Sequence, residues 1–152
     1  LHQGAIGVGV NIATGLTLGG VLHNETIDYH PDTLNSTVGI QVPFWDDILR
    51  IAASAYELTG LGYLGVDIVL DKTEGPLMLE LNARPGLNIQ IANRQGLLTS
   101  YEAIEAKVAA CGLGASVDAR VAFSQALHAD SAGQQIQSSS MLERADALYL
   151  EG

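Results

Sequence analysis

The chain has 152 residues, 47% of them hydrophobic and 16% charged, which suits one domain with its own core and excludes general disorder. Seventeen acids against seven Lys and Arg leave a net charge of −10, which argues against nucleic acid or anionic lipid as partners, since both need clustered cations. Cys111 is the only cysteine, so no internal disulfide is available and a reducing, cytoplasmic setting is expected; no apolar run approaches the roughly 18 residues of a membrane span.

The chain opens at Leu1-His2-Gln3-Gly4, with no methionine and no charged signal-peptide region, and runs directly into a strand. A piece of a longer protein is expected. Residues 5–12 (AIGVGVNI) and 16–23 read as a hairpin turning at Thr14-Gly15. The density of Gly4, Gly7, Gly9, Gly19 and Gly20 predicts bulges, or the close approach of a ligand or another backbone. Residues 23–43 read as a long polar loop with a short strand near 38–42. A helix follows Pro43, with Asp46 and Asp47 in its first turn complementing the dipole. Phe44 and Trp45 are expected to staple its start into the core. Ile48, Ile51, Ala52, Ala55 and Leu58 form its buried stripe, and Gly60 ends it.

Residues 65–86 read GVDIVLD, KTEG, PLMLELNARPG. Antiparallel pairing with Asp71 opposite Pro76 leaves Lys72-Thr73-Glu74-Gly75 as the loop and sets Val69 against Met78, Asp67 against Glu80 and Gly65 against Asn82. One face then collects Val66, Ile68, Leu70, Leu77, Leu79 and Leu81. The other collects Asp67, Asp71, Glu80, Asn82 and Arg84. Burial of the apolar face should hold this register. Asp67 and Glu80 come to about 4.5–5.5 Å between Cβ atoms, where like charges destabilise, so the face calls for a cation. Asp67, Glu80 and Asn82 are three hard oxygen donors, suited to the partial shell of Mg²⁺ and unsuited to zinc. Arg84, two residues on, has the fork geometry that clamps phosphate oxygens.

Plainer readings stand beside these. Asp67 and Asp71 can be solvated residues of a half-exposed sheet, with Arg84 neutralising Glu80 in a surface ion pair. Asp71, beside the turn, reads as a loop-edge residue rather than a ligand. His2, His23, His30 and His128 show no ligand spacing. Further on, Asn88 is expected to cap a short helix through Asn93. Thr99 or Ser100 starts a second helix reaching Cys111, and residues 116–129 form a third. Residues 131–140 read as a polar connector, and 141–150 as a last apolar turn or two.

The order Gly-Val-Asp, hairpin, Leu-Glu-Leu-Asn-Ala-Arg-Pro-Gly resembles the C-terminal metal-binding strands of the ATP-grasp superfamily. Its wording is most similar to the alpha-L-glutamate ligase branch, relatives of the ribosomal-protein glutamate ligase. His2-Gln3-Gly4 resembles the His-x-Gly stretch opening the corresponding half, with Gln3 in place of an Arg. The resemblance covers residues 1–100. It implies an α+β fold, a mainly antiparallel sheet with covering helices, equal to the C-terminal half of an ATP-grasp enzyme. The chain then divides into that partial subdomain over 1–112 and a helical tail over 113–152, the tail being read from the residues alone. The resemblance further implies Asp67 and Glu80 as ligands of Mg²⁺ or Mn²⁺, with Glu80 bridging two ions and Asn82 a third ligand. Asn82, Arg84 and His2 would face ATP, with Arg84 the catalytic contact to phosphate or the activated carboxylate. The reaction implied joins a carboxylate to an amine through an acyl phosphate. Such enzymes hold phosphates with lysines, and this chain has only Lys72 and Lys107, neither near the expected place. An N-terminal nucleotide-binding half is therefore expected as a missing partner, the fragment alone as inactive, and its bared apolar surface as a cause of self-association. A non-catalytic metal- or partner-binding module and a structural self-association domain are the alternatives.

Overall fold

The computed structural model describes residues 5–23, 25–86, 88–93 and 95–129. His2 and the segments at 131–140 and 141–150 lie outside the described residues. Among the described residues, two antiparallel sheets and four helices make up the α+β chain. The first sheet holds β1 (Gly7–Val10), β2 (Leu16–Leu22), β3 (Glu25–Ile27) and β4 (Val38–Gln41). β2 is its centre. β1 lies on one edge, while β3 pairs with residues 20–22 and β4 with residues 16–18 of the other edge.

Gly4 lies outside the described residues, and the other glycine-rich positions show both a bulge and a close backbone approach. Leu18 is left without a partner on β1 where the β1–β2 register shifts, which is a bulge. At Gly9 a Cβ would come within 2.5 Å of the Ala92 carbonyl oxygen, so this position brings another backbone close. The turn between the strands is tied to the chain on its C-terminal side. The Asn11 N–H donates to the Leu16 carbonyl at 2.9 Å, Val42 N–H donates to the Gly15 carbonyl at 3.0 Å, and the Trp45 indole N–H donates to the Ile12 carbonyl at 2.9 Å. Gly15 sits at φ 72°, with Trp45 Cγ only 2.6 Å from where a Cβ would be.

Residues 23–43 carry more structure than expected. β3 forms within them, and Tyr29 bridges Ser36 below a turn in which His30 Nδ1 accepts the N–H groups of Asp32 and Thr33 at 3.2 and 3.3 Å. A three-residue strand is too short to announce itself by alternation. Its ladder to β2 supplies the order that its own side chains do not.

Helix α1 (Trp45–Thr59) starts and stops as the sequence indicates, closing on Gly60, whose N–H donates to the Tyr56 carbonyl at 2.7 Å. Ala55 is fully buried and Ile48, Ile51 and Ala52 are half-buried, but Leu58 is 69% exposed and drops out of the stripe. Trp45 anchors the helix start, whereas Phe44 does not. Phe44 takes a left-handed φ of 55°, which turns it outward to 56% exposure.

β5 (Gly65–Asp71) and β6 (Gly75–Asn82) form the second sheet, a two-stranded hairpin packed on α1. α2 (Asn88–Ala92) lies against β1 and β2 and begins at Asn88, which is thus the first helical residue rather than the cap. α3 runs over Leu97–Cys111, two residues earlier than expected, and stops at Gly112. α4, residues 117–129, is joined to α1 by side-chain contacts. Gln125 donates to Asp46 at 3.3 Å, Arg50 pairs with Asp118 at 3.1 Å, and Arg120 pairs with Glu57 while stacking 5.3 Å over the Tyr56 ring. Among the described residues, Val21 and Ala55 are the only buried apolar side chains. α3 buries none of its own.

Candidate functional site

The hairpin is built by its turn. Asp71 pairs with Gly75, so the loop is Lys72-Thr73-Glu74, one residue shorter than the pattern suggests. Gly75 takes φ 78°, the left-handed residue that commonly closes a three-residue loop. Asp71 organises the turn: one carboxylate oxygen accepts from Thr73 N–H and Thr73 Oγ1, both at 2.8 Å, and from Glu74 N–H at 3.0 Å. Those bonds, the Glu74 N–H foremost, hold the Asp71 carboxyl below its usual range. Asp71 is accordingly a turn residue. The Asp-x-Thr spacing followed by Gly carried that signal, because an aspartate side chain bonds backbone two residues on.

From the other end the ladder runs as the sequence predicts. Gly65 opposes Asn82, Val66 opposes Leu81, and Asp67 opposes Glu80. The register then shifts by one: Ile68 pairs with Met78, Val69 with Leu77 and Leu70 with Pro76, leaving Leu79 unpaired in a bulge. This corrects the expected Val69–Met78 pair and the expected faces. Met78 and Pro76 join Val66, Ile68, Leu70 and Leu81 on the apolar side, Leu77 moves to the acid side beside Val69, and Leu79 belongs to neither row. The half-buried residues Val66, Ile68, Pro76 and Leu81 all fall on the apolar side, while Asp67, Glu80 and Asn82 are exposed together on the other.

Two carboxylates and an amide oxygen thus share one end of one face. The Asn82 Oδ1 accepts the Arg84 N–H at 2.9 Å. That bond uses one of the two lone pairs of the amide oxygen, leaves the second free, and fixes the course of the chain as it leaves β6 toward Arg84. Among the described residues no group of three or more His, Cys, Asp or Glu side chains gathers to enclose an ion. Asp67, Glu80 and Asn82 offer hard oxygens, a donor set that would suit Mg²⁺, an ion that keeps waters and relies on substrate phosphates for its remaining ligands.

Among the described residues, cations are sparse around this face. Lys72 is in the turn, roughly 16 Å along the strand from Asp67 at 3.2–3.4 Å per residue. Lys107 sits 5.8 Å over the Phe123 ring, and Arg50 and Arg120 are engaged between α1 and α4. Arg84 is the one cationic residue on the segment that bears Glu80 and Asn82. No helix among the described residues is long and apolar enough to cross a membrane.

No curated protein and no solved structure matches the chain. Its residues 1–106 do match the model of a family described as sugar-transfer associated ATP-grasp, a stretch that takes in the first sheet, α1, the acidic hairpin and most of α3. The paired carboxylates, the Glu-x-Asn alternation and this match agree, and the chain belongs to the sugar-transfer associated ATP-grasp family.

Proposed function

We propose that the exposed face of the β5–β6 hairpin is the divalent-cation platform of an ATP-dependent carboxylate–amine ligase. The observation that carries the reading is the direct opposition of Asp67 and Glu80 on an otherwise ordinary ladder. Like charges in that position cost stability, and a cation between them reverses the sign. Asp67 and Glu80 would hold Mg²⁺ or Mn²⁺, with the free lone pair of Asn82 as a third donor. The ion supplies charge neutralisation to the ATP phosphates when bound. Arg84 would contact a transferring phosphoryl group or the activated carboxylate, and His2 would line the nucleotide side.

In the reaction so proposed, a substrate carboxylate oxygen bonds to the γ-phosphorus as the bond to ADP breaks. The amine then bonds to the acyl carbon and phosphate leaves, the amine proton going to solvent or a base. Such transfers depend on positioning and on charge stabilisation rather than on covalent help from the protein. The glutamate specificity suggested by the hairpin's wording is one candidate among carboxylates, since the matched family carries a different description. The lysines that grip the phosphates would come from a nucleotide-binding half outside this chain, because Lys72 and Lys107 stand away from the acid face. The uncovered apolar side chains of α3 support self-association as a second property of the isolated chain.

The test is paramagnetic broadening by Mn²⁺ in ¹⁵N-labelled protein. Amides of residues 67, 80 and 82 should vanish at lower Mn²⁺ than those of the other acid clusters, such as Asp46-Asp47. Uniform broadening over all acidic segments would reduce the site to a solvated face. The chain by itself should release no phosphate from ATP in the presence of carboxylates and amines, and turnover by this chain would overturn the need for a second half.

A further inference from the structure

The bulge in β6 sits directly beside the pair of acids, between the Asp67–Glu80 and Ile68–Met78 pairs. In an unbroken strand residues 78 and 80 share a face. Here they do not, since Met78 faces the apolar side with Ile68 and Glu80 faces the acid side with Asp67.

Three ordinary reasons for Leu79 can be checked against the ladder. Pairing does not need it, because it has no partner on β5. Burial does not need it, because it is 65% exposed. Register does not need it either. Were Leu79 removed, the pairs from Gly65–Asn82 to Asp71–Gly75 would run on without a break, each residue keeping its partner and its face. What remains is the geometry that an extra backbone unit imposes: a bend in the strand and a local increase of twist.

We propose that Leu79 is a positioning residue for the cation site, acting through its backbone. The bend it introduces swings Glu80 and Asn82 relative to Asp67, so that donors which would stand parallel on a flat ladder converge on one point. The proposal rests on the cation reading of the hairpin face. It assigns to an exposed leucine the task that second-layer hydrogen bonds perform in other metal sites.

The experiment measures Mn²⁺ affinity by electron paramagnetic resonance on the full 152-residue chain, comparing wild type, deletion of Leu79 and Leu79→Ala. Far-ultraviolet circular dichroism and thermal unfolding are recorded on each. The deletion variant should keep the wild-type spectrum and melt no lower, yet bind Mn²⁺ about tenfold more weakly, in line with the loss of groups that orient metal ligands. Leu79→Ala keeps the bulge and should bind as wild type does. Equal affinity in the deletion variant would overturn the proposal and leave the cation site standing. Weakening of Leu79→Ala to the level of the deletion would overturn it by placing the effect in the side chain. An unfolded deletion variant would do the same by showing that the ladder needs the extra residue. Absence of Mn²⁺ binding in wild type would defeat the cation reading itself.

Discussion

Glu80→Gln separates an acid pair made for a cation from one that is merely tolerated, because the two cases predict opposite signs under two conditions. With metal chelated, Asp67 and Glu80 are opposed like charges, and neutralising one should stabilise the hairpin by about 0.5 kcal/mol, within the range for cross-strand pairs. For a chain of this length that raises the melting temperature by about 1–2 °C. With Mg²⁺ or Mn²⁺ at ten times its dissociation constant, wild type should gain about 1.4 kcal/mol by mass action, or about 3–5 °C, and the variant should gain little. The order of the two melting curves should therefore invert between EDTA and metal. Glu74→Gln removes the same charge from the turn, where only the backbone N–H of Glu74 is engaged, and serves as the control for general screening on a chain of net charge −10. Ionic strength is matched with NaCl throughout. If Glu80→Gln melts below wild type in EDTA, or if metal raises both proteins equally, the acid pair is not a cation site.

Two glycines with similar dihedrals should respond differently to alanine. Gly15→Ala places a methyl into Trp45 and Gln41 at φ 72° and threatens the indole bond to Ile12, so chemical denaturation should show a loss of about 2–4 kcal/mol. Gly75→Ala, at φ 78° with open space around it, should lose only about 1 kcal/mol, and equal losses at the two sites would show that packing around Trp45 contributes nothing. The Arg120 guanidinium holds the Glu57 carboxyl below its ordinary value of 4.5 by a hydrogen bond. A lowered folded pKa stabilises above the unfolded value and is lost as pH falls through the folded one. Arg120→Met should therefore differ in stability from wild type by a constant amount near neutral pH, and that difference should shrink as pH drops below 4.5. A difference independent of pH across that window would remove Glu57 from the account.

The acid face was legible because it needed only three residues in strict alternation: Glu80 and Asn82 on one strand and Asp67 opposite. The bulge was not. From Leu77 to Leu79 every side chain is apolar, so a one-residue shift leaves the hydrophobic pattern unchanged and alternation has nothing to report. The turn did carry a signal, an aspartate four residues before a glycine, but a four-residue loop satisfied the same letters. Helix α1 was readable from Pro43 to Gly60, while the exposure of Leu58 depends on where its neighbours end, which periodicity does not encode. Phe44 misled for a related reason. An aromatic before a helix suggests a staple, and only its left-handed backbone shows that it points away.

The contacts between α1 and α4 have a practical consequence for anyone dividing this chain. Family similarity stops at residue 106, yet Asp118, Arg120 and Gln125 beyond it are tied to Arg50, Glu57 and Asp46 within it. A truncation drawn at the limit of homology would strand those charges and strip the support from the helix on which the acidic hairpin rests. Expression boundaries that keep these contacts should therefore extend past Gln125.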